Sequence, residues 1–247
     1  MKLKKIFITV GIVIGVVLVG ALGLVSWFFF QVKDFNQLKT AQINESVSVV
    51  EGSMANMFLI KAGTRYIAID AGDGIQKINT GLQQLSISPD SISAVFLTHS
   101  DGDHVAGLGF FKNAAIYLSV GEVPMVTKKI PKHFLFLKRF NSLPVSQYIT
   151  LADGDSVIIN GTTVRAIATP GHTVGSMCYL VNGALFTGDL CGLKDGHVTP
   201  MVAIFTEDMK GDIASIKQVA RMSGISAIYT AHSGFTSDFN GAFSKWK

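Results

Sequence analysis

Cysteine is scarce in this chain, which has only two, Cys178 and Cys191, among 247 residues. Two thiols cannot build the disulfide framework of a small secreted domain. The fold therefore depends on a buried apolar core, which a chain of this length can form. The two thiols either pair outside the cytoplasm or stay free and buried, and the sequence leaves both readings open.

Three catalytic strings are also missing. The chain has no G-x-S-x-G around a serine nucleophile, no phosphate-binding loop and no dinucleotide-binding glycine pattern. A metal-independent serine hydrolase is therefore disfavoured, and the usual signals of nucleotide binding are lacking.

Charge is absent from Ile6 to Phe30. As a helix, this run would span about 37 Å at about 1.5 Å per residue, which exceeds the ~30 Å hydrocarbon core of a membrane. Lysines precede it and aromatic residues close it, so the positive-inside tendency places the N-terminus in the cytoplasm and the remaining chain outside. A cleaved signal peptide is the alternative, because Ala21-Leu22-Gly23 has suitably small residues, but signal cores usually have about 7–15 residues.

These features predict the domain organisation. Residues 1–30 form a cytoplasmic tip and transmembrane anchor, with residues 6–30 in the lipid bilayer, and residues 31–42 form a linker. Residues 43–247 form a folded domain outside the cytoplasm, in a single-pass protein of the cell membrane. The net charge of +4 lies entirely in residues 1–40, since the remaining 16 basic and 16 acidic residues balance. The folded domain therefore lacks a broad positive field, and no specific nucleic-acid partner is expected.

Apolar runs beyond the linker alternate between strand-like and helical spacing. The predicted strands are 47–50, 57–60, 66–69, 94–97, 116–119, 157–159, 164–168, 176–181, 184–187 and 227–230, and the predicted helices are 75–85 and 213–222. Asn160-Gly161 and Asn182-Gly183 predict hairpin turns. The interleaving favours sheets with helices packed outside.

Residues 98–104 read T-H-S-D-G-D-H, which brings His99, Asp101, Asp103 and His104 into one short loop. Carboxylates this close repel one another, and their removal from water is costly unless a cation balances them. The loop therefore predicts a divalent-metal site, and the alternative is a solvated acidic turn with incidental histidines.

Ligand-type residues also follow four other predicted strands, with small residues beside them. They are Asp70, His172 in T-P-G-H, Asp189 in T-G-D, and His232 before Ser233-Gly234. Small neighbours let the backbone approach a ligand closely. We therefore expect the five loops to converge on one site.

This ordered set resembles the five motifs of the metallo-β-lactamase-fold hydrolase superfamily, over residues 46–234. The resemblance implies an α+β fold, a four-layer αββα sandwich with a dinuclear metal site at one edge. It further implies the roles of the residues: His99 and His172 bind the first ion, Asp103, His104 and His232 bind the second, Asp189 bridges the two, and Asp70 supports the ligand loop. The alternative for Asp70 is a plain strand-end cap.

One position departs from the family pattern. The family usually has H-x-H-x-D-H, and Asp101 stands where the second histidine would be. As a ligand of the first ion, Asp101 makes the site more negative and harder. Two divalent ions are expected, zinc first, with manganese or iron as alternatives. Otherwise Asp101 only forms hydrogen bonds, and the first site is weak or empty.

The resemblance implies a metal-dependent hydrolase that uses a metal-bound hydroxide, with Asp103 orienting the nucleophile and moving a proton. The H-x-D-x-D-H variant also resembles the hydrolase domain of competence-type DNA-uptake channel proteins, which suggests a phosphodiester substrate. A small-molecule ester or lactone comes next, and a β-lactam is disfavoured. The alternative function is a non-catalytic, membrane-anchored metal-binding or sensing module; an iron-dependent redox enzyme is weaker, because no flavin domain is present.

A basic and aromatic segment, residues 128–140, reads K-K-I-P-K-H-F-L-F-L-K-R-F. It predicts a lid that attracts an anionic substrate, a patch on anionic lipid, or an ordinary element with buried apolar residues and solvated lysines. His133 and His197 lie outside the motifs, and His197 is expected to be exposed at a turn. Cys191, close to Asp189, is expected to have a packing role. The oligomeric state stays open.

Overall fold

The N-terminal part of the chain is a long helix, α1 (Lys2–Val32), in the computed structural model. The structure describes residues 2–33, 35–134 and 137–247, so Phe136 of the basic segment lies outside the described residues. Within α1, Phe7–Phe30 has a mean hydropathy of 2.8 and is not buried, and by length and composition it is able to cross a membrane. The chain divides into two compact units, Met1–Phe35 and Asn36–Lys247.

Short strands make up most of the second unit. In chain order they are β1 (Ala41–Gln42), β2 (Val47–Val50), β3 (Met57–Ala62), β4 (Arg65–Ile69), β5 (Ile92–Phe96), β6 (Ala115–Ser119), β7 (Lys132–Phe134), β8 (Leu137–Arg139), β9 (Ile149–Leu151), β10 (Ser156–Ile159), β11 (Thr162–Ala168), β12 (Met177–Val181), β13 (Ala184–Phe186), β14 (Cys191–Lys194), β15 (His197–Pro200), β16 (Ala227–Thr230) and β17 (Gly234–Thr236). The helices are α2 (Ile75–Gln84), α3 (Gly102–Val105), α4 (Val123–Val126), α5 (Met209–Ala220) and α6 (Phe239–Ala242).

Two larger sheets organise these strands. One sheet has seven strands in the order β1-β2-β3-β4-β5-β6-β9, and the other has six in the order β10-β11-β12-β13-β16-β17. Strands β4, β5, β6 and β9 are parallel, and so are β13 and β16. The pairs β7-β8 and β14-β15 form separate antiparallel hairpins.

Three apolar clusters hold the sheets and helices together. The first contains side chains of both sheets, including Phe58, Phe96 and Tyr229. The second joins the seven-stranded sheet to Ile78 and Leu82 of α2. The third joins the six-stranded sheet to α5 and α6. Successive strand residues point to opposite faces, so each sheet contributes to two clusters and is buried on both sides.

Two hydrogen bonds tie the sheets together near the ends of their strands. The Met177 N–H donates to the Thr98 carbonyl at 2.8 Å. The Tyr179 hydroxyl donates to the Leu97 carbonyl, also at 2.8 Å. The loop after β5 is therefore fixed to the six-stranded sheet as well as to its own.

Part of the predicted linker, residues 31–42, has regular structure. Helix α1 continues to Val32, and residues 36–42 belong to the second compact unit. The Asn36 N–H donates to the His232 carbonyl, the Leu38 N–H donates to the Asn56 side chain, and β1 pairs with β2. Of these contacts, the pairing of β1 with β2 extends the edge of the seven-stranded sheet.

Most other predicted elements appear within a few residues of their predicted bounds, but two hairpins were missed. Strands β14 and β15 meet at Asp195-Gly196, where both residues have a positive φ. This turn also corrects the expectation for His197, which is half-buried with its Nδ1 3.2 Å from the Gly241 carbonyl oxygen. Cys178 and Cys191 are free and buried in the third cluster, as one of the two readings expected.

Truncation of Phe96 tests the cluster between the sheets. Its ring stacks on Tyr117 at a centroid distance of 4.4 Å and lies 5.3 Å from Tyr179. Phe96→Ala should lower the free energy of unfolding by about 3–5 kcal/mol, because it removes buried area and leaves a cavity. Denaturant titration followed by fluorescence measures the loss. The control is Ile158→Ala, at a side chain 70% exposed, which should change little.

Candidate metal centre

The predicted ligand residues lie at one edge of the two sheets. Parallel strands β4 and β5 lead into Asp70 and His99, and parallel strands β13 and β16 lead into Asp189 and His232. Carboxyl ends of parallel strands meet at the same sheet edge. The loop after β11 adds His172 at that edge, because β11 runs in the same direction as β13.

A glycine brings His172 into position. Gly171 has a φ of 151°, and a Cβ there would lie 2.3 Å from the backbone of Asp212 on α5. Only glycine fits this approach. The T-P-G-H string therefore lets the His172 loop pass directly over helix α5.

The first cluster consists of His99, Asp101 and His172, whose candidate ligand atoms lie within 4.8 Å of one another. The Asp101 Oδ2 atom is 3.6 Å from His99 Nε2 and 3.2 Å from His172 Nε2. Both histidines are buried. Asp101 thus points at the two imidazoles instead of into solvent.

The second cluster consists of Asp103, His104 and His232, again with ligand atoms within 4.8 Å. The Asp103 Oδ2 atom lies 3.6 Å from the Nε2 atoms of both histidines. The Asp103 side chain is 29% exposed, whereas the two histidines are buried. Asp103 is therefore the member of this cluster that a substrate or water can reach.

Asp189 lies between the clusters. Its Oδ1 atom is 3.2 Å from His104 Nε2 and 3.1 Å from His232 Nε2. Its Oδ2 atom is 3.2 Å from His232 Nε2, 3.5 Å from His172 Nε2 and 3.9 Å from His99 Nε2. The carboxylate therefore contacts histidines of both clusters.

Asp70 contacts the loop that carries His99 and His104. It has a φ of 59°, a left-handed conformation that aspartate tolerates better than most residues. Its Oδ1 accepts the Thr98 N–H at 2.7 Å, and its Oδ2 lies 2.8 Å from His104 Nδ1. Asp70 thereby orients His104, with Nε2 directed at the centre.

Burial and charge shift the protonation of these groups. Burial alone would raise the pKa values of Asp101 and Asp189, but the neighbouring histidines hold both pKa values well below their usual range. Burial lowers the pKa of His172 to about 4, helped by the positive charge of Lys132. For His104 and His232 the effect of burial is overcome by carboxylates, above all Asp189, and their pKa values rise. The centre thus concentrates negative charge that calls for a cation.

The donor atoms fit a divalent metal ion. Within the described part of the chain, His99 Nε2, His104 Nε2 and Asp189 Oδ1 are buried and form no hydrogen bond of good geometry, although Asp189 Oδ1 lies 3.2 Å from His104 Nε2. Orphaned buried polar atoms are costly, and metal coordination is one way to satisfy them. Imidazole nitrogens and carboxylate oxygens are ligands of zinc, manganese and iron.

Glu122 has a role that the sequence motifs did not reveal. It is completely buried. One carboxylate oxygen accepts the N–H of Ser100 at 2.9 Å and also the Ser100 hydroxyl, and the other accepts the Thr173 hydroxyl. Glu122 therefore joins the loop of His99 to the loop of His172.

The basic segment forms the hairpin β7-β8, and one of its lysines enters the centre. The Nζ atom of Lys132 contacts Asp101 Oδ2 and lies 2.9 Å from His172 Nε2. Leu137 and Phe140 are each 51% exposed. The ordinary-element reading does not account for the buried Lys132 or the exposed apolar side chains, although the other basic residues are exposed as it expects. The lid and lipid readings stay predictions.

Comparison with known proteins identifies the family. The model of the metallo-beta-lactamase superfamily matches residues 50–223, which include all these loops except the one carrying His232. The chain belongs to the metallo-beta-lactamase superfamily. The fold is α+β, as the resemblance implied, and the resemblance itself is confirmed.

Relatives of this superfamily member include a bacterial and a fungal protein. The chain is 32% identical over 170 residues to a probable polyketide biosynthesis zinc-dependent hydrolase, BaeB, of Bacillus velezensis, covering 68% of this chain and 67% of the relative. It is 34% identical over 140 residues to the lactamase-like protein nscB of Arthroderma gypseum, covering 54% of this chain and 38% of the relative. The chain thus spans only part of the length of these relatives.

Solved structures show the same fold. A B3 metallo-beta-lactamase with an active-site glutamic acid superimposes with a TM-score of 0.67 at 18% identity, covering 90% of this chain and 91% of that one. A metallo-beta-lactamase family protein from Thermus thermophilus gives a TM-score of 0.65 at 20% identity, covering 82% of this chain and 78% of that one.

Asp212 makes stability depend on pH. Burial, together with the charges of Asp189 and Asp208, raises its pKa to about 7. An unfolded aspartate has a pKa of about 3.9, so the protonated form contributes stability that is complete below about pH 4 and is lost as the pH rises towards 7. Asp212→Asn keeps the shape without the charge. In metal-depleted protein, the melting temperature of Asp212→Asn relative to native protein should rise steadily between pH 4 and 7; a constant difference would contradict the assignment.

Proposed function

We propose that this chain is a membrane-anchored, metal-dependent hydrolase. The observation that carries the proposal is the convergence of two His/Asp clusters on the shared carboxylate of Asp189. The name of the relative BaeB, a probable zinc-dependent hydrolase, supports zinc as the ion. We also infer that the three apolar clusters separate four layers in the order αββα.

The residues of the centre would have different roles. His104, His232 and Asp103 would hold an ion in the second cluster, and His99, Asp101 and His172 would form the first site, with Asp189 between them. A bound divalent ion supplies Lewis acidity and lowers the pKa of water towards about 7. The partly exposed Asp103 carboxylate orients the attacking water and accepts or returns its proton.

Two observations bear on the substrate class, and they favour different substrates. The H-x-D-x-D-H string resembles hydrolases of phosphodiesters, whereas BaeB is named for polyketide biosynthesis, which favours a small molecule with an ester or lactone. In both classes the reacting group develops negative charge, which a bound divalent ion would stabilise.

Substitution of a candidate ligand tests the hydrolase. The full-length chain in detergent is assayed with bis(p-nitrophenyl) phosphate, an ester and lactone panel, and a chromogenic cephalosporin. We expect zinc- or manganese-dependent turnover of a phosphodiester or an ester. His104→Ala should reduce it by more than about 100-fold, because even residues that only orient metal ligands contribute 10–100-fold. The matched control is His133→Ala, whose side chain is 56% exposed beside Glu207.

A non-catalytic metal-binding or sensing module is the second candidate function. The intrusion of Lys132 into the first cluster favours it, because a lysine there competes with an ion. Bound metal without turnover of any of the three substrate classes would support this module. Absence of bound metal would overturn both candidates.

The membrane location has its own test. Fusion of alkaline phosphatase to the C-terminus of the full-length chain should give active phosphatase, because lysines before the apolar run favour a cytoplasmic N-terminus. Alkaline carbonate should leave the fusion in the membrane fraction. Inactive phosphatase would reverse the orientation, and a fully released fusion would indicate cleavage after a signal peptide.

A further inference from the structure

One lysine of the hairpin differs from its basic neighbours. Lys132 is 8% exposed, whereas Lys128, Lys129, Lys138 and Arg139 are exposed. Lysine is almost never buried unless its charge is paired. The hairpin is held beside the centre by the His133 N–H, which donates to the Glu207 side chain at 3.2 Å.

The ammonium group of Lys132 occupies the position that an ion would take in the first cluster. It contacts Asp101 Oδ2 and lies 2.9 Å from His172 Nε2, two of the three candidate ligand atoms there. An ion bound to both atoms at about 2.0–2.2 Å would overlap with Nζ. The two cations would also repel each other strongly in a buried site.

Asp101 is satisfied by the protein itself. Its Oδ2 faces Lys132, and its Oδ1 accepts a hydrogen bond from the Asn141 side chain at 3.0 Å. Asn141 also donates to the Ser100 hydroxyl at 2.8 Å. Aspartate at position 101 therefore fits a lysine partner, whereas the histidine of the usual family pattern would leave the ammonium without a counter-ion.

We propose that Lys132 acts as a built-in cation in the first cluster, so that the chain binds one divalent ion, in the second cluster. The inference rests on the proposed metal binding at Asp103, His104 and His232. Asp101 and Lys132 form one unit: the carboxylate holds the ammonium, and the ammonium excludes the first ion.

Metal stoichiometry tests this unit directly. The full-length chain in detergent is saturated with zinc, freed of excess zinc by gel filtration, and analysed for zinc per chain by mass spectrometry. We expect one ion in native protein and two in Lys132→Met, because loss of the ammonium leaves Asp101 available as a ligand. Lys129→Met and Lys138→Met remove exposed lysines of the same segment and should keep one ion.

Two further variants distinguish loss of the ammonium group from misfolding of the protein. Lys132→Arg retains the positive charge and should keep one ion. The double variant Asp101→His/Lys132→Met restores the usual family pattern without a buried unpaired carboxylate, and it should bind two ions. Thermal melting shows which variants are folded.

The outcomes separate the two proposals. Two ions in native protein, or one ion in both folded Lys132→Met and the folded double variant, would overturn the role of Lys132 and leave the hydrolase standing. No bound ion in native protein would overturn the proposed metal site itself. One ion in native protein and two in the variants that lack the lysine would establish the built-in cation.

Discussion

The accumulation of buried negative charge at one sheet edge is the constraint on which the rest of the structure depends. Asp70, Asp101 and Asp189 converge there with little access to water. Charge of one sign cannot stay buried unless opposite charge or many hydrogen-bond donors accompany it. The strand-end loops supply backbone donors, and the four imidazoles and Lys132 supply side-chain donors or positive charge.

Both sheets contribute residues to this edge. Each supplies parallel neighbouring strands whose ends carry an acid and a histidine, and the apolar cluster around Phe96 keeps the sheets face to face. The hydrogen bond from Met177 to Thr98 fixes the ligand loop of one sheet to the other. Packing between the two sheets, away from the centre, thus holds the ligand residues at fixed distances from one another.

Local patterns in the sequence predicted much of this arrangement. Alternating apolar residues located most strands, and Asp-x-Asp-His after an apolar run located the ligand loop, because both signals are confined to a few neighbouring residues. Asp195-Gly196 was an available turn signal for the missed hairpin β14-β15. Lys132 and Glu122 carried no such signal. The partners of Lys132 lie at least 31 residues away in sequence, and those of Glu122 at least 22 residues away. Only the folded chain therefore shows these contacts.

Glu122 has a consequence for how the centre handles ions. It joins the loops of His99 and His172 through atoms of the protein alone. The positions of those two imidazoles around the Lys132 ammonium therefore do not depend on a bound metal ion. An ion that enters or leaves the second cluster leaves this connection between the two loops intact.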